Sequence, residues 1–213
     1  MKVIPISGYE THAWLKKKHY AKRIPSISFA FGLIKNNEIC GVITYGKPPS
    51  PTLCDGVCGK EYSEIVFELN RLCLLNNEKN EASFLVGNSM KQLPKPMIIV
   101  SYADTSMGHV GTIYKATNFI YTGLSDKRTE WRLKGSNAHS RTLTRLSLKE
   151  RLLNSDFYTA QRPRKHRYVF VSASKTERKK ILRSLKYKIH PYPQGKSDRY
   201  DSSYAIYRQG MLF

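Results

Sequence analysis

The chain has 213 residues, and 40% of them are hydrophobic, which is enough for one core of ordinary size. No segment approaches the ~20 apolar residues of a membrane span, and the N-terminus lacks the apolar stretch of a signal peptide. We therefore expect a soluble cytoplasmic protein with no membrane partner. A net charge of +20, from 36 Lys and Arg against 16 Asp and Glu, argues against an enzyme that acts only on neutral small molecules.

The first half of the chain alternates between predicted strands and helices. Apolar spacing predicts a helix over residues 7–20 with Thr11 as a possible cap, and Lys35-Asn36-Asn37-Glu38 predicts the turn of a hairpin. The Pro- and Gly-rich residues 47–63 are predicted to form a loop. A strand, a helix, a strand, a helix and a strand are then predicted at 64–75, 80–93, 95–104, 108–119 and 120–123. This order is typical of an α/β sheet with helices packed on it.

The pattern is weaker beyond residue 125. It predicts a basic helix over 139–154, a strand over 164–174, a helix over 176–188 and a closing strand over 202–209. Ser174 and Glu177 have the spacing of a capping box before the second of these helices. We therefore predict a catalytic core at 1–125 and a basic part at 126–213 that completes the same domain and binds nucleic acid.

The positive charge is concentrated in the C-terminal part. Residues 127–199 contain 21 Lys or Arg and five Asp or Glu, so this window carries +16 of the net charge. Tyrosines alternate with the basic residues, a mixture that contacts phosphates and stacks on bases. A basic surface that serves solubility is the alternative. The predicted nucleic-acid contacts are Arg141, Arg162, Arg164, Lys165 and Arg167.

Polar side chains interrupt the predicted core strands. Glu68, Asn70 and Arg71 lie within an apolar strand, where burial is costly unless they are paired or face a cleft. Asp104 and His109 follow at the C-terminal edge of the next strand, where α/β proteins place their crevices. The hydroxyls of Tyr102, Tyr114 and Tyr121 lie in the same stretch of sequence. These residues predict a functional cleft.

The cysteines do not predict a metal site. Cys54 and Cys58 have a C-x-x-x-C spacing, but no second pair follows at the distance that a zinc site needs. Cys40 and Cys73 lie in apolar strands, and all four thiols are predicted to be reduced. His12 and His19 are each predicted to be structural or surface histidines.

Several long motifs together resemble the Mom family of phage adenine-modification proteins. They are "HYAKRIPS", "GVITYGKPPS", "ELNRLCL", "NEASFLVG", "SYADTSMGHVGTIYKATNFIYTG" and "HSRT", in that order along the chain. The resemblance implies a divergent GNAT acyltransferase fold, with a mixed α/β sheet whose central strands splay apart, flanking helices and a basic C-terminal extension. It also implies an enzyme of the host cytoplasm that puts a carbamoylmethyl group on the exocyclic amine of adenine in DNA, which protects phage DNA from restriction. A non-catalytic nucleic-acid-binding protein and an ordinary acyl-CoA N-acetyltransferase are the alternatives.

The resemblance also implies roles for individual residues. Glu68 or Asp104 would accept a proton from the incoming amine, and Tyr102 or Tyr114 would donate one to the leaving group. Asn70, Ser101 or Asn118 would orient the base, and Arg71 would hold a donor phosphate or the DNA backbone. His109 and Tyr121 complete the predicted substrate-binding set. The predicted donor-binding residues are Leu72, Cys73, Leu74, Ala82, Ser83 and Phe84, with the helix that begins near Ala82 facing the donor phosphates.

The identity of the donor stays open. Residues 77–82 replace the Gly-rich loop of a typical GNAT, and acetyl transfer from acetyl-CoA would join the amine to a carbonyl carbon, whereas the family's product is joined through CH2. One route uses iron, with ligands among His109, Asp104, Glu68 and His19. The other transfers glycine from glycyl-tRNA and then rearranges, and tRNA would account for part of the positive charge. In either route the adenine must be flipped out of the duplex or presented in a single strand.

Overall fold

A computed structural model describes residues 1–136, 143 and 145–195. The strands are β1 Lys2–Pro5, β2 Phe29–Lys35, β3 Glu38–Gly46, β4 Val66–Leu74, β5 Met97–Asp104, β6 Ile120–Leu124, β7 Arg128–Leu133, β8 Phe157–Arg162 and β9 Lys165–Ser172. The helices are α1 His12–Lys17, α2 Pro51–Cys58, α3 Glu81–Gln92, α4 Thr112–Ala116, α5 Leu148–Leu153 and α6 Lys175–Arg183. Short 3-10 turns cover Gly8–Thr11, Lys60–Ile65 and Thr105–Met107.

Seven strands form one mixed sheet in the order β1-β2-β3-β4-β5-β9-β6, and β7 pairs with β8 in a separate two-stranded sheet. Among the strands of the described residues, only β4 and β5 are parallel neighbours. Helices cover both faces of the large sheet, so the predicted mixed α/β class is confirmed. Strand β9 comes from the basic C-terminal part and lies between β5 and β6, while the proposed division at residue 125 stays a prediction.

The two central strands diverge soon after they begin. They pair only at Val66 with Ile98, Phe67 with Ile99 and Glu68 with Val100, after which each strand continues without the other. The divergence coincides with a β-bulge, since Thr44 lies opposite Arg71 while Tyr45 lies opposite Leu69. The extra residue is Asn70, and a bulge of this kind bends its strand. The predicted splayed strands are therefore confirmed.

The core has two main layers. On one face of the sheet, the side chains of α3 pack with those of the strands, with Leu85 and Val86 among the fully buried residues. On the other face, α2 and α6 contribute Val57 and Ile181 to a second apolar cluster. A third, smaller cluster places Trp14 of α1 against Cys73 of β4. Among the described residues, no helix is long and apolar enough to cross a membrane.

Most of the predicted elements are present. Asn36 and Asn37 both adopt positive φ at the hairpin turn, with φ of 52° and 63°, as such tight turns require. Ser174 and Glu177 form the predicted capping box. The predicted strand over 202–209 lies outside the described residues.

Several predicted boundaries were wrong for local reasons. Residues 51–58 form α2 and not a loop, because Ser50 accepts a hydrogen bond from the Leu53 N–H and Pro51 occupies the first turn. The first helix starts as a 3-10 turn capped by Ser7 in place of Thr11. The predicted helix over 108–119 is helical only in α4, and the part of the predicted basic helix that is described is helical over α5. Strands β1, β7 and β8 were not predicted.

Candidate active site

A group of polar side chains, which we call the cleft, lies where β4 and β5 diverge. Side chains alternate between the faces of a strand, and Tyr102 packs on the same side as Ile98 and Val100, so Asp104 belongs to that side as well. Two residues that follow α1, His19 and Tyr20, complete this polar group. Their rings stack with centroids 4.3 Å apart, and the Tyr20 ring meets the His109 ring edge-on at 6.0 Å.

Asp104 is held as a carboxylate. Its Oδ2 accepts from Lys165 Nζ at 2.7 Å, and its Oδ1 accepts from the backbone N–H of Ser106 at 3.1 Å and from the Ser106 hydroxyl at 2.7 Å. Burial opposes ionisation, but the hydrogen bonds from Lys165 and Ser106 outweigh it and place the pKa of Asp104 below its ordinary value. The cleft therefore contains a fixed negative charge at neutral pH, with Lys165 beside it.

His19 is a neutral imidazole. Burial, then the positive charge of Arg71 and then those of His109 and Lys165, lower the pKa of His19 to about 3. Its Nδ1 lies 3.0 Å from the backbone nitrogen of Ala21, whose N–H can only donate, so Nδ1 is the acceptor and the proton is on Nε2. His19 thus offers a single N–H donor from a ring with a fixed tautomer.

Tyr20 and Arg71 are linked to the same group electrostatically. Burial first, and the negative charge of Asp104 next, raise the pKa of Tyr20, so its hydroxyl keeps its proton at neutral pH. Arg71 donates from Nη1 to the Asn70 carbonyl at 2.6 Å and from Nε to the Arg23 carbonyl at 3.4 Å. These bonds hold the guanidinium beside the bulge, and the charge of Glu68 acts on both side chains.

A hydroxyl pair bridges the gap between the two strands. Ser101 Oγ of β5 lies 2.9 Å from the Leu69 carbonyl of β4 and 2.7 Å from the Tyr114 hydroxyl. A serine hydroxyl has one proton, which Ser101 directs to the Leu69 carbonyl or to the Tyr114 hydroxyl, so Tyr114 is the acceptor in this pair and its own proton is not used there. Burial raises the pKa of Tyr114 to about 12, against the opposing effect of its bond to Ser101. Tyr114 is therefore a protonated hydroxyl at the point of divergence.

Other predicted substrate-binding residues have structural partners. Asn70 accepts from the Thr44 hydroxyl at 2.6 Å and donates to the Ser26 carbonyl at 2.8 Å, so its amide fixes the bulge. Asn118 is exposed and has a left-handed φ of 61° after α4. The Tyr121 hydroxyl shares a 2.7 Å hydrogen bond with His166 Nδ1. Tyr121 lies on β6, which is separated from β5 by β9. Burial raises the pKa of Tyr102, which lies in the cleft beside Glu68.

The predicted donor-binding residues lie mainly in the core. Leu72 and Leu74 pack in the layer covered by α3, with Ala82 and Phe84 partly buried against it. Cys73 packs against Trp14, and burial raises the pKa of its thiol to about 12. Ser83 donates to the Asn80 carbonyl at 3.1 Å.

The first turn of α3 is occupied by acidic side chains. Glu81 is 3% exposed, and its carboxylate accepts from the Glu78 N–H at 3.0 Å and lies 3.7 Å from Lys35 Nζ. Glu78 is also paired with Lys35. A pyrophosphate placed at this helix terminus would face two carboxylates, and like charges at such a site repel.

The predicted iron site is not supported by the donor set. Within residues 1–136, 143 and 145–195, no group of three or more His, Cys, Asp or Glu side chains is arranged to hold a metal ion. His109, Asp104, Glu68 and His19 therefore do not form such a group, and Asp104 is instead paired with Lys165. The four cysteines are buried free thiols, as predicted.

The predicted nucleic-acid contacts separate into two sets. Lys165 belongs to the cleft through Asp104, whereas Arg162 lies on β8, 3.9 Å from Glu130. Arg164 donates from Nε to the Ser125 carbonyl at 2.5 Å, and Arg167 packs with its guanidinium 3.3 Å from the centre of the Tyr187 ring. Arg141 lies outside the described residues.

Three cleft residues were not predicted for the roles that the geometry gives them. His19, considered only as a structural histidine or an iron ligand, is a neutral donor here, and Tyr20 and Lys165 were not placed in the cleft. The adjacent "HY" of "HYAKRIPS" was the available signal, because two polar aromatic residues follow a helix whose Trp14 and Leu15 are core residues.

The fold and the cleft define a mixed α/β protein with a charged, hydroxyl-lined site between diverging parallel strands. The model of the Mom protein family matches residues 1–194. The chain belongs to the Mom protein family, which confirms the resemblance inferred from the motifs. It is 24% identical over 205 residues to the methylcarbamoylase Mom of Escherichia phage Mu, covering 91% of this chain and 84% of that protein.

Solved structures with a similar fold are more distant. They include smu.2055 from Streptococcus mutans UA159, with a TM-score of 0.45 and 11% identity, over 80% of this chain and 99% of that one. An N-acetyltransferase from Staphylococcus aureus Mu50 has a TM-score of 0.44 and 14% identity, over 80% and 97% of the two chains. At these scores the similarity bears on neither the substrate nor the roles of residues.

Proposed function

We propose that the protein is a transferase that installs a carbamoylmethyl group on the exocyclic amine of adenine in DNA. The observation that carries the proposal is that one family-matched segment, residues 101–123, supplies a carboxylate, Asp104, and a hydroxyl, Tyr114, that both interact electrostatically with Tyr20 beside the diverging strands. The relation to the methylcarbamoylase of phage Mu supports the product. The basic C-terminal part supports DNA as the partner.

The residues of the cleft suit the two proton transfers that the reaction needs. Asp104 is ionised and accepts a hydrogen bond from the adenine amine, which orients it and takes up developing positive charge. Glu68 is the second carboxylate in reach of this role. Tyr114 is protonated at neutral pH and donates to the departing oxygen, with Ser101 keeping the hydroxyl in place. The His19 N–H and the Tyr20 hydroxyl supply donors for the ring nitrogens of a flipped base.

We further propose that the donor is glycyl-tRNA. The adenine amine attacks the glycyl carbonyl, the ester bond breaks, and the proton passes to the departing 3′-oxygen of the tRNA. The glycyl amine then attacks C6 of the base through a five-membered ring, and the bond from C6 to the original amine nitrogen breaks. That nitrogen becomes the terminal amide, so the product is joined through CH2 and no oxidant or reductant is needed.

The acidic first turn of α3 supports this donor over acyl-CoA. Glu78 and Glu81 lie at the helix terminus that the family resemblance assigns to the donor phosphates, and with only Lys35 to offset their two charges they would repel a CoA phosphate there. The same feature disfavours the alternative of an ordinary acyl-CoA N-acetyltransferase. A tRNA ester would instead bring its phosphates over the basic C-terminal part.

The test is mass spectrometry of nucleosides from bacteria that express the protein. We expect adenine heavier by a carbamoylmethyl group with the wild type, and at least about a hundredfold less with Tyr114→Phe. Tyr45→Phe is the matched control, because it also removes a buried hydroxyl bonded at 2.7 Å, in this case to Ser89 and not to Ser101. Unmodified DNA in cells with abundant soluble protein would refute the proposal.

Labelled glycine tests the donor separately. With heavy nitrogen and carbon in glycine, and scrambling into purines blocked, we expect label in both the CH2 carbon and the nitrogen bonded to C6. A modified base without label in these positions would refute glycyl transfer while leaving the DNA-modifying function intact.

A further inference from the structure

The two-stranded sheet of β7 and β8 is an arm that grows out of the large sheet. In the large sheet β6 pairs with β9 up to Leu124 opposite His166, and in the small one β7 pairs with β8 from Arg128 opposite Arg162. Leu124 opposite His166 and Arg128 opposite Arg162 have the same register, so the small sheet continues the direction of the β6–β9 pair beyond Leu124. At six residues per strand and ~3.4 Å per residue, the arm extends for ~20 Å.

The base of the arm adjoins the cleft, because Lys165 belongs to both. The Ser125 N–H donates to the Lys165 carbonyl at 2.8 Å, and the Lys165 N–H donates to Ser125 Oγ at 2.9 Å, so the ladder continues where the arm leaves the sheet. The side chain of the same Lys165 binds Asp104. Arg164 locks the junction by donating to the carbonyls of Leu124 and Ser125. Whatever binds along the arm is therefore brought to the cleft.

The two faces of the arm differ in chemistry. Residues directly opposite in an antiparallel pair share a face. One face is more apolar, with Leu133 opposite Phe157 and the Arg151 guanidinium 4.9 Å from the centre of the Trp131 ring. The other face carries Arg128, Arg132, Arg162 and Tyr158 around Glu130.

The basic face is held open to solvent. Arg132 and Arg162 side chains are 47% and 46% exposed, and both contact the carboxylate of Glu130, at 2.9 and 3.9 Å. One carboxylate thus orients two arginines without neutralising the face. A concave surface of about 520 Å³ at the base of the arm is lined by Lys127, Arg128, Thr129 and Gln161, and another of about 420 Å³ lies along β6 with Arg164 and Arg167 in its lining.

We propose that this arm docks in the major groove of duplex DNA and positions the duplex so that a flipped base reaches the cleft. The inference rests on the proposed function. A two-stranded ribbon fits the major groove of B-form DNA, which is ~12 Å wide, and its arginines match phosphates or guanine edges. The major groove of an RNA helix is too narrow for it, so the arm selects a DNA duplex.

Binding measurements test the arm without any chemistry. Fluorescence anisotropy against salt would compare a short duplex DNA, one of its single strands and an RNA duplex of the same sequence. For Arg128→Gln/Arg132→Gln/Arg162→Gln, we expect the slope of log affinity for duplex DNA against log salt to fall by about 2–3, and the affinity at 0.15 M salt to fall about tenfold or more. Single-strand binding should change less than about threefold, because backbone contact elsewhere suffices.

Two further variants control for charge and folding. Lys2→Gln/Lys91→Gln/Lys95→Gln removes the same charge from exposed positions on β1 and around the end of α3, and should leave duplex binding within about twofold of wild type. Replacing the three arm arginines by lysine should preserve most of the salt slope. An equal loss in the control triple, an unchanged duplex slope, or an arm-dependent RNA duplex affinity equal to that for DNA would overturn the proposal.

These outcomes are distinguishable from failure of the proposed function. Unmodified adenine with arm-dependent duplex binding would refute the chemistry and support the arm. Modified adenine together with duplex binding that the arm substitutions do not change would support the chemistry and refute the arm proposal.

Discussion

The cleft and the arm contain similar residue types in opposite physical settings. In the cleft, Asp104, His19 and Tyr114 are buried or partly buried and bonded to protein partners, and their protonation states are set by burial and neighbouring charge. On the arm, Arg132 and Arg162 are nearly half exposed and share one carboxylate. The comparison supports the proposal that chemistry takes place in the cleft, where fixed dipoles act at low dielectric, and that the arm binds, because its charge is available to a polyanion.

Asp104→Asn should separate the two regions most sharply. The amide preserves shape but cannot take up positive charge from the adenine amine, so we expect adenine modification to fall by about 10²–10⁴-fold. Duplex DNA affinity should stay within about threefold, since the arm is unchanged. Nucleoside mass spectrometry and anisotropy on the same protein measure both.

Asp126→Asn is the matched control for this substitution. It makes the same change in charge at an exposed position near the base of the arm, and modification should stay within about threefold of wild type. A large loss of DNA affinity in Asp104→Asn would mean that the cleft, and not the arm, dominates binding.

The buried neutral imidazole of His19 should make the folded state sensitive to acid. Its pKa is about 3 in the folded protein and about 6.5 when unfolded, so below pH 6.5 the unfolded chain binds a proton that the folded cleft refuses. The contribution of His19 is present above pH 6.5 and is lost as pH falls towards 3, by up to about 5 kcal/mol. The pKa of Asp104 is also lowered by folding, so its contribution to stability is likewise lost on acidification, but only once the pH falls below the ordinary pKa of a carboxyl group.

His19→Gln tests this directly, because the glutamine amide also offers an oxygen to the Ala21 N–H. Urea unfolding at several pH values should give a free energy of unfolding that falls less steeply between pH 6.5 and 4.5 than in wild type. Parallel curves for the two proteins would show that His19 titrates normally.

Gly111→Ala should disturb the cleft through the buried residues that support α4. Gly111 has a φ of 76°, and an added Cβ would lie 2.6 Å from the Tyr168 ring, which is fully buried. Strain in the left-handed region and the overlap together should cost about 2–3 kcal/mol of the free energy of unfolding. Because α4 and Tyr114 follow directly, modification should fall as well.

Gly87→Ala is the control for that substitution, since nothing lies within 4 Å of the added methyl group and helix α3 favours alanine. Thermal unfolding should show it to be neutral or slightly stabilising. Equal stability of Gly111→Ala and wild type would mean that Tyr168 shifts without cost.

The sequence predicted the cleft better than the arm because their signals differ. A polar residue in an apolar strand is conspicuous, and the predicted Glu68, Tyr102 and Asp104 lie on the cleft side of β4 and β5. The strands of the arm are polar on one face and short, with Thr129 and Gln161 on the other, so their alternation is weak. Their pairing also depends on β9 lying between β5 and β6, a contact between distant residues that no local pattern encodes.

The sequence also could not predict roles that depend on contacts with residues distant along the chain. Lys165 appeared as one basic residue among many, and only the register of β5 with β9 places it opposite Asp104. The N-terminus of α3 was predicted to face donor phosphates, and only the fold brings Lys35 of the hairpin to Glu78 and Glu81 there.

The smallest expected effect concerns Glu130, the one acidic residue of β7 and β8. Glu130→Gln keeps the shape of the side chain but removes the charge that Arg132 and Arg162 contact, so the basic face gains one unit of positive charge. Exposed ion pairs add little to folding, and the free energy of unfolding should change by less than about 1 kcal/mol. Duplex DNA affinity at low salt should rise by about two- to tenfold, and the salt slope should steepen by up to about 1, because two arginines are released to phosphate oxygens.

Glu64→Gln, which removes an almost fully exposed carboxylate paired with Lys47 away from the arm, is the control and should leave the affinity unchanged. Weaker duplex binding in Glu130→Gln would mean that the carboxylate is needed to hold the arginines in their binding geometry, and the arm would then act as a preorganised surface more than as a source of charge.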